Sequence, residues 1–346
     1  MSYNIALNFE DGVTRFINCK EGETVLDAAY RQKINLPMDC SDGVCGTCKG
    51  LCEQGTYELG DEYLEDALSE EEAADRMVLT CQMVPSSDCV IQVPVDSSLC
   101  KTQVAEINGS VVTVEELSDS SIELAVELDE SAQLVFLPGQ YINIEVPGST
   151  NARSYSFSSR SGQRRASFLI RKLPDGLMTN YLTGAAKPGD RLTMTGPLGS
   201  FYLREVKRPV LMLAGGTGLA PFLSMLALLD GRGCDQPVHM IYGVTRDSDL
   251  VKLKELDEYA TKLPSFSYTT CVADEASTHP RKGYVTHHMD AGVLHEGNVD
   301  VYLCGPPPMV DAVRHYIREQ GITPTSFHYE KFAPSHPTHH HEEPAP

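Results

Sequence analysis

Positive charge is what this chain has least of. Its 346 residues carry 28 Lys and Arg against 48 Asp and Glu, a formal net charge of −20. That deficit excludes the basic footprint a nucleic-acid-binding protein needs. Long hydrophobic runs are missing too. No apolar stretch approaches the roughly 20 residues of a membrane span, and the opening MSYNIALNFEDG has no basic segment ahead of a hydrophobic one. Membrane insertion and secretion are therefore disfavoured. The 11 cysteines, an odd number, fit a reducing compartment better than a disulfide framework, so the chain is read as cytoplasmic. No internal repeat is visible. The acidity is uneven: residues 1–96 hold 19 Asp and Glu against 6 Lys and Arg. Such a surface serves solubility, or it steers an acidic module toward a basic face on a redox partner.

What is present begins with Cys40, Cys45, Cys48 and Cys81, spaced C-x4-C-x2-C and then a long gap. That is the spacing of a plant-type [2Fe–2S] site. Three thiolates within nine residues can converge only from a loop. Gly43 and Gly46 supply its backbone freedom, and the small residues Ser41 and Thr47 let N–H groups approach bridging sulfides. A structural zinc site is the alternative, but zinc usually takes two short C-x2-C arms, and only Cys45 and Cys48 are so spaced. Disulfides do not suit a cytosolic chain. Cys19 and Cys52 fall outside the ligand spacing and read as small buried residues.

The length suggests two or three domains. Alternation over residues 3–9, a turn at Glu10-Asp11-Gly12 and a second run from Val13 predict a hairpin. Thr24 with Asp27 predicts a helix start, running to about Lys33, and Ser69 with Glu72 a second, short acidic helix. With a closing strand at 88–94, residues 1–97 describe a β-grasp [2Fe–2S] ferredoxin, an α+β module. From 102 to 207, six short strand-like runs separated by turn residues predict an antiparallel six-stranded β-barrel. From 208 to 332, strands alternating with helix-length stretches predict a Rossmann-like parallel α/β domain. Residues 333–346 (APSHPTHHHEEPAP), rich in Pro and polar residues, are expected to be disordered; His339, His340 and His341 offer metal ligands, but a tail without function is the expectation.

Two groups of residues in the later modules carry binding chemistry. Arg153-Ser154-Tyr155-Ser156 falls on a barrel strand: Arg for a phosphate, Tyr155 for stacking on an isoalloxazine, Ser156 for a hydroxyl at flavin N5. Gly176, Met178 and Thr179 follow at a predicted helix start, suited to a pyrophosphate. In the last module, Gly215-Gly216-Thr217-Gly218 turns from a strand into a helix as a phosphate cradle, though not as G-x-G-x-x-G. Cys304-Gly305-Pro306 closes a later strand, where Cys304 is either a buried filler or a neighbour of the nicotinamide. Asp247 and Asp249 after the second strand favour NADH over NADPH, while Arg246 points the other way.

With RSYSFSS, LMLAGGTGLAPFLSM, VYLCGPPPMV and HYEKF behind an N-terminal ferredoxin, the chain resembles the ferredoxin–NADP reductase superfamily. Within it, the likeness is to the reductase components of benzoate, toluate and anthranilate 1,2-dioxygenases. That resemblance implies an oxidoreductase with one FAD, one [2Fe–2S] cluster, NADH as donor and a Rieske non-haem iron oxygenase as partner. It implies that Cys40, Cys45, Cys48 and Cys81 ligate the cluster, and that Arg153, Tyr155, Ser156, Gly176 and Thr179 hold the flavin. Gly215, Thr217, Gly218, Cys304 and Gly305 would face the nicotinamide, with Ser156 and Cys304 closest to the hydride step. In relatives Phe332 lies near the chain end with its ring over the flavin; the tail here departs from that pattern. The rivals are a reductase for a soluble di-iron monooxygenase (phenol, toluene or alkene type) and a redox sensor with a vestigial nucleotide site.

Overall fold

A computed structural model describes residues 2–38, 43, 46–60, 63–65, 67–100, 105–129, 134–149, 151–199, 201–290 and 292–332. The tail expected to be disordered lies outside these residues, as do Cys40 and Cys45.

The first strand, β1 (Ser2–Phe9), buries Ile5, Leu7 and Phe9 on alternate positions. It reverses at Gly12, whose φ of +78° suits glycine, and pairs antiparallel with β2 (Thr14–Lys20), the expected hairpin. Helix α1 (Val25–Arg31) starts where Thr24 Oγ1 accepts from Asp27 N at 3.1 Å. It ends two residues short of the expected Lys33, which adopts φ +62° and cannot continue a right-handed turn. Then come β3 (Lys49–Gln54), β4 (Tyr57–Leu59), the capping-box helix α2 (Glu70–Ala74), β5 (Met77–Leu79), β6 (Met83–Pro85) and β7 (Cys89–Val93). The main sheet runs β2-β1-β7-β3-β5, with β7 inserted parallel to β1. Val25, Leu26, Ala28 and Ala29 of α1 close its core, where each large aliphatic side chain contributes about 1.5–3 kcal/mol by burial.

All six barrel strands form: β8 (Ala105–Ser118), β9 (Ser121–Leu128), β10 (Tyr141–Glu145), β11 (Ala152–Ser156), β12 (Arg165–Arg171) and β13 (Arg191–Leu198). Their order is β11-β10-β13-β8-β9-β12, and a bridge between Phe157 and Phe168 joins the two edges. Two register shifts let the long β8 bend around this closure. Phe136 stacks on Phe157 inside, with ring centroids 3.9 Å apart. Helix α3 (Leu177–Asn180), continued by a π turn to Ala185, plugs one end with Met178 and Leu182.

The last module comprises β14 (Val210–Gly215), α4 (Ala220–Arg232), β15 (Val238–Val244), α5 (Leu253–Lys262), β16 (Phe266–Val272), β17 (Asp300–Gly305), α6 (Pro307–Glu319) and β18 (Ser326–Lys331). All five strands are parallel, in the order β16-β15-β14-β17-β18. The order reverses between β14 and β17, which opens a crevice at their carboxyl ends. One expectation fails: among the described residues no α-helix joins β16 to β17. Pro280, Gly283 and Gly297 punctuate that stretch, and single 3₁₀ turns form at Val285–His288 and His295–Gly297. Among the described residues no helix is long and apolar enough to cross a membrane.

His328 of β18 lies on the Tyr302 ring, centroids 4.9 Å apart. Burial, then the Arg204 charge, lowers its pKa from 6.5 to about 4 against an opposing pull from Asp300. The folded state resists the proton that the unfolded chain accepts. Stability is thus fully present above pH 6.5 and declines toward pH 4, by roughly 3 kcal/mol at most. Melting temperatures measured across that window should fall with acidification, and His328→Gln should flatten the slope. An equal slope in the variant would clear His328 of the effect.

Candidate functional site

The crevice is built by close approach of two loops. A Cβ on Gly218 would sit 2.3 Å from the carbonyl oxygen of Cys304, and one on Gly215 would sit 2.5 Å from Met309 Sδ. Only glycine lets the turn after β14 lie against the end of β17. Gly216 takes φ +55°, and with Thr217 it forms a single 3₁₀ turn leading into α4. Pro306 begins the opposite wall and precedes α6.

Cys304 is fully buried, and its register partners are Ala214 and Glu330. Burial first, then the Glu330 carboxylate, pushes its thiol well above the usual range, so it stays protonated. Its Sγ lies 3.9 Å from Glu330 Oε2. The same oxygen accepts from Ser156 Oγ at 3.1 Å, across 174 positions of chain. Ser156, from the barrel, and Cys304, from the nucleotide fold, therefore meet at one carboxylate. Glu330 was not among the residues singled out from sequence. Its signal is its place in the HYEKF segment, as an acid on the last strand beside a buried tyrosine and two residues before Phe332.

The strand alternation places Arg153 and Tyr155 on one face of β11 and Ser154 and Ser156 on the other. Tyr155 packs against the barrel core, and burial pushes its phenol upward. Arg153 donates to Ala152 O at 2.8 Å, and Ser154 Oγ donates to Asn143 Oδ1 at 2.7 Å. Gly176 caps α3, while Thr179 Oγ1 accepts from Leu173 N at 3.0 Å and so closes that loop. The Met178 side chain is buried in the barrel, which leaves its main-chain N–H as what it can offer a ligand. Phe332 is half-buried, with its N–H donating to Gly305 O at 3.0 Å. At the end of β15, Asp247 Oδ1 accepts from Ser277 Oγ at 2.8 Å, and Asp249 Oδ2 accepts from Arg246 N at 3.1 Å.

At the other end of the chain, Cys48 and Cys81 are buried with their sulfurs 3.3 Å apart. Two thiolates on one tetrahedral metal, each at about 2.3 Å, lie roughly 3.8 Å apart, so this pair fits a shared iron. Pairing of Lys49 with Leu79 and the Thr80 N–H bond to Cys48 O bring them together. Gly46, at φ +73°, turns the loop against Ala67. Cys19 and Cys52 are buried as expected, and Arg76 Nη2 lies 3.4 Å from the Cys52 sulfur.

Comparison with known proteins identifies three modules in the same order. Family models described as a 2Fe-2S iron-sulfur cluster binding domain, an oxidoreductase FAD-binding domain and an oxidoreductase NAD-binding domain match residues 8–86, 108–202 and 212–315. The toluate 1,2-dioxygenase electron transfer component of Pseudomonas putida is 57% identical, over 97% of this chain and 100% of that protein. The 2-halobenzoate 1,2-dioxygenase electron transfer component of Burkholderia cepacia is 49% identical, over 97% and 99%. Among solved structures, an Amycolatopsis cytochrome P450 reductase superposes with a TM-score of 0.73 at 30% identity, covering 95% of this chain and 99% of that one.

Proposed function

Because the chain belongs to the family of electron transfer components of aromatic-ring 1,2-dioxygenases, we propose that it takes electrons from NADH and delivers them to the Rieske oxygenase of such a system. One observation carries the reading: Ser156 of the barrel and Cys304 of the nucleotide fold share the carboxylate of Glu330. A flavin-side group and a nicotinamide-side group are thus held within one contact of each other. When bound, FAD accepts a hydride and releases electrons singly, and the cluster takes them one at a time.

The residues supply position rather than acid–base chemistry. Glu330 fixes the Ser156 hydroxyl, and Cys304 supplies a buried, uncharged thiol beside it. Gly215, Gly216, Thr217, Gly218, Gly305 and Pro306 form the paired loops that would take the nicotinamide nucleotide, with the turn after β14 held close against the end of β17. Arg153, Ser154, Tyr155, Gly176, Met178 and Thr179 hold the flavin, with Phe332 beside them. Cys40 and Cys45, outside the described residues, complete the ligand set of Cys48 and Cys81. The modules divide at 1–97, 102–207 and 208–332. Asp247 and Asp249, anchored at the end of β15, would repel a 2′-phosphate and favour NADH by at least about tenfold.

The test is anaerobic. NADH should bleach the flavin band and then the cluster band of the purified protein, and NADPH should do so far more slowly. Addition of a Rieske oxygenase with an aromatic acid should then yield hydroxylated product, whereas a di-iron monooxygenase should remain idle. Product only with the di-iron enzyme would replace this reading with its rival. No bleaching by NADH would favour the sensor. Tyr155→Ala should weaken FAD retention about tenfold, as loss of one stacked ring implies. Unchanged flavin content after gel filtration would remove Tyr155 from the flavin site.

A further inference from the structure

The loop after β15, residues 245–252, carries Asp247 and Asp249, and the barrel grips it at two polar points. Ser120, in the turn between β8 and β9, donates from Oγ to Asp249 Oδ1 at 2.5 Å. Three residues on, Glu123 of β9 accepts from Lys252 Nζ at 2.5 Å, with both side chains mostly buried. Lys252 Nζ also lies 3.7 Å from Glu255 Oε2 of α5. Since Asp249 Oδ2 accepts from Arg246 N, both oxygens of that carboxylate are engaged within the protein. From the sheet side, the buried Tyr242 hydroxyl donates to Asp249 O at 3.3 Å and accepts from Val251 N at 3.5 Å.

The barrel half of this contact is fixed in its own right. Ser118 Oγ accepts from Ser120 N at 3.2 Å and lies 2.8 Å from Ser121 Oγ, while Ser120 O accepts from Lys172 N at 2.8 Å. Leu117, beside that turn, packs against the core of the nucleotide fold. The loop half is strained. Lys252 takes φ +61°, a conformation that persists in a non-glycine residue only where its surroundings hold it.

We propose that Ser120 and Glu123 of the barrel are positioning residues for NADH, holding the loop after β15 in the conformation that receives the nucleotide. The inference rests on the proposed reading of this loop as part of the NADH site. A ligand's affinity falls in proportion to the fraction of protein whose site is in the binding conformation. A loop released from one grip is in that conformation less often, while Ser156 and Cys304 at the crevice keep their places. Binding should therefore weaken, and hydride transfer at saturation should not.

Ser120→Ala, Glu123→Ala and Ser120→Thr would be compared with the unaltered holoprotein by calorimetric titration with NAD+, which binds without reducing the flavin. The dissociation constant should rise about tenfold in each alanine variant, the factor that loss of a hydrogen bond to a charged group implies. Ser120→Thr keeps the hydroxyl and should bind as the unaltered protein does. In rapid mixing with NADH, the half-saturating concentration should rise in the alanine variants while the limiting rate of flavin bleaching holds. Hydrogen exchange of the chain without nucleotide should quicken at amides 246–251. A lowered melting temperature with an unchanged dissociation constant would overturn the proposal and leave these contacts to stability alone. So would a threonine variant as weak as the alanine one, or a slower limiting rate at unchanged half-saturation. Failure of the unaltered protein to bind NAD+ would instead overturn the proposed function.

Discussion

Cys81→Ser should abolish the visible absorbance of the cluster and the delivery of electrons to an oxygenase, yet leave NADH able to bleach the flavin. Cys81 is buried beside Cys48, sulfurs 3.3 Å apart. Altering the partners of a metal ligand commonly costs 10–100-fold, so removing the ligand itself should lower coupled product formation by more than about 100-fold. The flavin half should survive because its support lies elsewhere. The ferredoxin core (Ile5, Leu7, Val25, Ile91) is a cluster separate from the barrel core (Ile122, Leu124, Phe157, Phe168). The nucleotide fold packs around Met212, Phe222 and Tyr242 in a core shared with Leu169, Phe201 and Leu203 of the barrel module and separate from the ferredoxin core. Iron, sulfide and flavin analysis of the variant, with anaerobic NADH titration, checks both halves. Loss of flavin bleaching along with the cluster would mean that the modules depend on one another, contrary to this packing.

Local order was legible where it is set by residues close in the chain. Alternation marked β1 and the six barrel strands, and short apolar runs marked the five parallel ones. Capping chemistry marked both ferredoxin helices, because Thr24 and Ser69 act three residues away. The C-terminal limit of α1 was missed, since Lys33 could have continued a helix and its left-handed turn follows from packing rather than type. Pairings between distant segments were beyond reach. That β7 lies parallel to β1, or that Glu330 would reach Ser156 across the barrel, is decided by how sheets assemble. The glycines of the turn after β14 were recognised, but as a phosphate cradle; the structure adds a steric need at two of them that has no phosphate in it.

That steric need carries the second large effect. Gly218→Ala should slow flavin bleaching by NADH about 100-fold while leaving the cluster band intact. The new methyl would meet the Cys304 carbonyl oxygen at 2.3 Å and its carbon at 2.7 Å, with Gly305 N at 3.1 Å. All three are backbone atoms of β17, which is tied on both sides into the sheet by β14 and β18 and has no side chain to rotate away. The turn and the strand end must therefore part by nearly 1 Å, and a misplacement of that size in a positioned reaction costs about 10²-fold. Gly216→Ala is the matched control. It has open space but a φ of +55°, so it pays only the left-handed penalty of about 1–2 kcal/mol in stability. If spacing between the two loops governs hydride transfer, Gly216→Ala lowers the melting temperature with a small change in rate, and Gly218→Ala slows the rate whether or not stability moves. Equal rates for the two variants would make glycine here a matter of backbone conformation, not of the distance between the turn and Cys304.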